Sequence, residues 1–177
     1  MMSKFSIVTI LVFIILMIGL ALGRSGDVAP RAGTEYESQG REHLKNESDR
    51  HEAYNSDLPT SGPHAAQPAN WGVYTSEVPD EKFVHNLEHG GVVITYKPDL
   101  ATSDVAKLKT IAETISKTGD DKSKKGFKVI MAPRSKNTKP VQLAAWQYAM
   151  SLDAVDEAKI TNFYRDHLNR APESSAI

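Results

Sequence analysis

Between Phe5 and Gly23 the chain reads F-S-I-V-T-I-L-V-F-I-I-L-M-I-G-L-A-L-G, without a single charged residue. About 20 apolar residues suffice to cross a bilayer as a helix, whereas the apolar part of a secretory signal runs to roughly 7–15. The length therefore predicts an uncleaved transmembrane signal anchor over residues 1–24. Ala21-Leu22-Gly23 stands as the cleavage site of the alternative, a removed signal. A segment this apolar has no place in a small water-exposed domain, so the fold must be built from the residues C-terminal to it. Lys4 and Arg24 flank the run and orient it only weakly. The expected placement is the cell membrane, single-pass, with the C-terminal domain outside the cytoplasm.

The chain has 177 residues, enough for one modest domain with its own core. Its formal net charge of -1 gives no electrostatic case for nucleic acid. It contains no cysteine, which excludes disulfides, zinc–thiolate sites, iron–sulfur clusters and thiol chemistry together. Any metal must be held by His, Asp, Glu, Met or backbone oxygen. No G-x-S-x-G, phosphate-binding glycine loop or dinucleotide fingerprint occurs.

Residues 25–53 are polar and poor in apolar side chains, which predicts a tether. The domain is expected over residues 54–173. Asn55–Pro68 carries three prolines and a Ser-Gly-Pro turn, and reads as an irregular extended loop. Trp71–Tyr74 reads as a short strand, and Val92–Tyr96, β-branched and aromatic, as the clearest one. A helix capped by Thr102 or Ser103 comes next, with Val105, Leu108, Ile111 and Ile115 as its stripe and Gly119 as its end. Phe127–Ala132 reads as a strand, and Val141 to about Met150 as another. A last helix is expected from Asp153, with Ile160, Phe163, Tyr164 and Leu168 buried, ending before Pro172. This order predicts an α+β domain: a small mixed or antiparallel sheet with two helices on one face.

Chemistry concentrates in V-H-N-L-E-H-G-G-V-V, Val84–Val93. His85 and His89 are four apart, which on a helix puts both imidazoles on one face within reach of one ion. The run matches the H-x-x-E-H pattern of zinc peptidases, with Glu88 as base and Glu157 as the available third ligand. That pattern needs a continuous helix, and Gly90-Gly91 followed by a strand leaves room for one turn. His64, after the rigid T-S-G-P turn of Thr60–Pro63, supplies a third imidazole. The bland alternative is that the histidines brace the turns by hydrogen bonds. His64, His85 and His89 are the expected metal ligands, with Glu88 hydrogen-bonded behind one of them. Met131 and Met150 are candidate sulfur donors, though methionine more often fills core gaps. His51 is expected to face solvent.

The stretches Y-N-S-D-L-P-T-S-G-P-H (54–64), W-G-V-Y (71–74) and V-H-N-L-E-H-G-G-V-V-I-T-Y (84–96) resemble those of an exported family known as domain of unknown function 3105. A-P at 132–133, A-A-W at 144–146 and A-P-E at 171–173 add to the resemblance. It implies an exported domain behind one N-terminal membrane segment, and carries no activity with it. It also implies a histidine ahead of the Tyr54 motif, which makes His43 a further candidate ligand. Leu58 stands where the family usually has a proline.

Imidazoles without thiolate suit copper(II), ahead of zinc in the Irving–Williams order, or zinc itself. The expected function is a membrane-anchored extracytoplasmic metal-binding protein that handles copper, with zinc as the alternative ion. Its expected partners are the membrane and a metal-delivery or other membrane protein. Two alternatives stand beside it: a metal-free structural or protein-interaction domain at the cell surface, and a metal-dependent hydrolase or oxidase.

Overall fold

The computed structural model describes residues 30–46, 48–118 and 128–176. The apolar run at Phe5–Gly23, Gly119, the charged loop 120–125 and Phe127 lie outside the described residues. Among the described residues no helix is long and apolar enough to cross a membrane.

Along the chain the elements are β1 (Thr34–Glu35), β2 (His43–Leu44), β3 (His64–Ala65), β4 (Gly72–Val73) and α1 (Asp80–Glu88). They continue with β5 (Val92–Tyr96), α2 (Thr102–Thr118), β6 (Val129–Pro133), β7 (Val141–Ala145), β8 (Tyr148–Leu152) and α3 (Glu157–His167). Six strands form one mixed sheet in the order β1-β8-β7-β5-β6-β4, and β2 and β3 pair separately. The β-branched run V-V-I-T-Y makes β5 the centre of the sheet, and all five of its residues are buried. It runs parallel to β6 and antiparallel to β7. A parallel pair needs a long crossover connection, and α2 supplies it.

Strand alternation divides the core in two. Val92, Ile94, Val129, Met131, Val141 and Leu143 pack with Leu108, Ile111 and Ile115 of α2 and with Ile160 and Phe163 of α3. Val93, Ile130, Ala132 and Ala144 face the other way, onto Phe83, Val84 and Leu87 of α1. The α+β class and the mixed sheet are as expected, and so are two helices sharing one face. A third helix, α1, lies on the opposite face and carries the histidine motif.

Three local expectations are corrected. The compact unit begins at Arg31, not near Tyr54. The stretch read as a tether contributes β1, paired antiparallel to β8, and β2. The single strand expected over residues 141–150 is a hairpin, β7–β8, turning at Trp146-Gln147, where Gln147 takes a φ of 63°. Its amide donates to Thr60 O at 3.0 Å and its carbonyl accepts from Tyr36 N at 2.8 Å, so neighbouring chain holds a turn that its sequence does not announce. The last helix starts at Glu157 and not at Asp153, because Asp156 is the N-cap, its carboxylate accepting from Lys159 N at 3.0 Å.

Candidate metal centre

Helix α1 is set by both of its ends. Pro79 precedes it, and Asp80 and Glu81 place negative charge in its first turn, where the helix dipole favours it. Phe83, Val84 and Leu87 are fully buried against the sheet. The helix stops in a Schellman motif: Gly90 N donates to Leu87 O at 2.8 Å and Gly91 N to Asn86 O at 3.0 Å. Gly90 has a φ of +82°, the left-handed region that favours glycine. A Cβ on Gly91 would collide with the Trp71 ring. The expected single turn is therefore a nine-residue helix, long enough to present His85 and Glu88 together.

The other two histidines come from the β2–β3 pair, where His43 stands opposite His64 in parallel register. Tyr54 clamps the Ser-Gly-Pro turn by donating its hydroxyl to Pro63 O at 2.6 Å. Asn86 of α1 bonds both backbone groups of Ala69 at 2.9 Å, tying the chain after β3 to the helix. The result is a cluster in which the ring nitrogens of His43, His64 and His85 all lie within 4.8 Å of one another. The His43 ring stacks on His85 with centroids 5.0 Å apart and planes at 5°. His64 stands edge-on to both.

Hydrogen bonds set the tautomers. His64 Nδ1 donates to Gly62 O at 2.8 Å, and His85 Nδ1 donates to Ala65 O at 2.7 Å. Each ring then carries its lone pair on Nε2. This is how a ligating imidazole is usually held: the far nitrogen is tied down, the near one presented. Burial keeps His64 below the usual histidine range, with its carbonyl contact and Glu88 opposing and His85 and His43 reinforcing the shift. The neutral form is the one that binds metal. Three metal–nitrogen bonds of about 2.1 Å around one ion hold the nitrogens about 3.4–3.6 Å apart, so closure on an ion draws the widest pair in by a shift of about 1 Å or a little more. Half-exposed His43 is free to supply it.

The structure thus brings together two of the three expected ligands, His64 and His85, with His43 as the third. His89 lies beside them. Its Nε2 is 3.0 Å from His85 Nε2 and 3.9 Å from Glu173 Oε2. Because His85 Nε2 is the acceptor, His89 Nε2 donates. Met131 is not in the cluster; it packs across the sheet, in the layer of α2 and α3. Glu157, at the start of α3, is exposed. Glu88, 2 % exposed, has Oε2 at 3.2 Å from His64 Nε2 and 3.9 Å from His43 Nε2, and Oε1 at 3.4 Å from Arg41. Sequence reasoning missed Arg41 and the part of Glu173, which reaches Arg41 at 3.5 Å. Only the A-P-E stretch pointed toward the latter. His51, expected in solvent, is half-buried against Tyr54 and lies 3.4 Å from Glu81.

In this α+β domain three imidazoles lie close enough together to hold a metal ion between them. Residues 45–177 match the family model described as "Protein of unknown function (DUF3105)". The match covers most of the chain, and the protein belongs to that family. No curated protein and no solved structure matches it. The matched span starts just after His43, so the strand that brings the third imidazole lies at its edge.

Proposed function

We propose that this protein is a transition-metal-binding domain that holds one ion through His43, His64 and His85, anchored outside the cytoplasm by its N-terminal apolar run. The observation that carries the reading is the pair of bonds from Nδ1 of His64 and His85 to backbone carbonyls, which leaves Nε2 of both rings without a proton inside a cluster whose ligand atoms lie within 4.8 Å of one another. Nitrogen ligands without sulfur favour copper(II) over zinc. With Met131 across the sheet, the thioether donor that would suit copper(I) is missing from the cluster. The role is metal handling at the cell surface: capture, storage or hand-over.

A metal-free brace is the second reading, favoured by the His85–His89 hydrogen bond at 3.0 Å, which joins two rings without an ion. Metal content after loading with copper and zinc and exhaustive dialysis separates the two. One equivalent retained by the native protein and lost by a folded His64→Ala/His85→Ala variant supports the metal site. Absence of retained metal, with stability unchanged by chelator, supports the brace.

A further inference from the structure

His64 Nε2 and Glu88 Oε2 are buried 3.2 Å apart, yet neither has a hydrogen-bond partner among the described residues. A proton on His64 Nε2 would not point at Glu88 Oε2, because the ring is not aimed along that line. His64 Nδ1 is already committed as the donor to Gly62 O. Two acceptors thus lie side by side, each directed past the other, in a place that water does not reach. Buried polar atoms are rarely left this way, and a buried carboxylate is costly unless a cation compensates it. Among the described residues, the permanent cation beside Glu88 is Arg41, half-exposed and 3.4 Å away on the other carboxylate oxygen. Oε2 is left beside two of the imidazoles, 3.2 Å from His64 Nε2 and 3.9 Å from His43 Nε2.

We infer that Glu88 is a direct ligand, with Oε2 completing a three-imidazole, one-carboxylate centre for a divalent cation. This rests on the reading of His43, His64 and His85 as ligands and adds the fourth donor to it. An off-line convergence of two acceptors is what coordination of a shared ion requires, since the ion sits to the side of the line joining them. The anionic oxygen sets the class of ion. A carboxylate with imidazoles suits zinc or copper(II) and disfavours copper(I), which takes sulfur. Arg41 stabilises the carboxylate from the solvent side through Oε1, so both oxygens of Glu88 have a positive partner once the ion is in place.

The test is an infrared difference spectrum of the full-length chain in detergent, zinc-loaded minus zinc-free. Direct ligation shifts the stretching bands of one carboxylate, and the shift disappears in Glu88→Gln but persists in Glu173→Gln. Native protein that retains zinc without a carboxylate shift overturns Glu88 as a ligand and leaves the histidine site standing. That result needs no variant to fold. A shift that survives in Glu88→Gln overturns the inference equally. Native protein that retains no zinc and no copper removes the histidine reading, and this inference falls with it.

Discussion

Arg134 shows how much of the structure rests on single residues far apart in sequence. It is 4 % exposed and meets Asp80, 7 % exposed, through two bonds of 2.8 and 2.9 Å. A third bond, of 2.8 Å, goes to Asp57 O. Burial alone would lower the guanidinium, but Asp80 and Asp57 hold it above its usual range. Burial would likewise raise Asp57, and hydrogen bonds from Thr138, Gln142 and Arg134 hold it below. Removing one partner of a buried pair strands the other charge, at a cost of about 3–5 kcal/mol. Arg134→Met is expected to lose that much in urea denaturation, and Arg134→Met/Asp80→Asn less than the sum of the two single variants. A single-variant loss below about 1 kcal/mol would show the pair to be solvated. None of this is legible in the sequence, because Arg134 and Asp80 are 54 residues apart and each reads as an ordinary loop charge. The site is half legible for the same reason. His85 and Glu88 share a helix turn, so spacing places them together. His43 and His64 meet only through two strands of two residues, too short to leave a pattern.

Helix α1 is where expectation and structure differ most at the scale of an element, although its signals are present in the sequence. Counting from Val84 to Gly90 leaves one turn. The start lies at V-P-D-E, residues 78–81, with proline at the boundary and acids in the first turn. The stop is legible as a glycine pair, but the two glycines have different roles. Gly90 supplies the left-handed backbone of the cap, while Gly91 admits the Trp71 ring. Gly91→Ala is therefore expected to overpack the junction and cost about 1–3 kcal/mol. In a Trp71→Leu background the extra cost of the alanine should shrink, as expected for residues in contact. Equal costs in the two backgrounds would refute the steric account. The β7–β8 turn is hidden for the opposite reason. Its left-handed residue is Gln147, and a glutamine carries no turn signal that a sequence can show.

Across the whole molecule, residues 31–44 tie the two faces of the sheet together. Their first half lies with α3: His167 Nε2 donates to Ala32 O at 2.7 Å, and Asp166 accepts from Ala32 N at 2.9 Å. Their second half forms β2 and brings Arg41 and His43 to the cluster. Anything that loosens the α3 end therefore acts on the strand that supplies a ligand. His167, 2 % exposed between the Tyr148 and Phe163 rings, is the group poised to do so. Burial depresses its pKa below the usual histidine value. The Ala32 carbonyl and Asp166 oppose that shift, and Arg31 and Arg170 add to it. A depressed folded-state pKa means the unfolded chain takes up the proton first as pH falls. The stability that neutral His167 contributes is complete above the unfolded value of about 6.5 and is lost as pH drops from there toward the folded value. The metal-free protein should accordingly melt at a lower temperature at about pH 5.5 than at about pH 7.5, on either side of that unfolded value. His167→Gln keeps a donor for Ala32 O and cannot titrate, so its melting temperature should fall less over the same interval. The native-minus-variant difference isolates His167 from every other histidine. An identical fall in both proteins would place the pH sensitivity elsewhere than at His167.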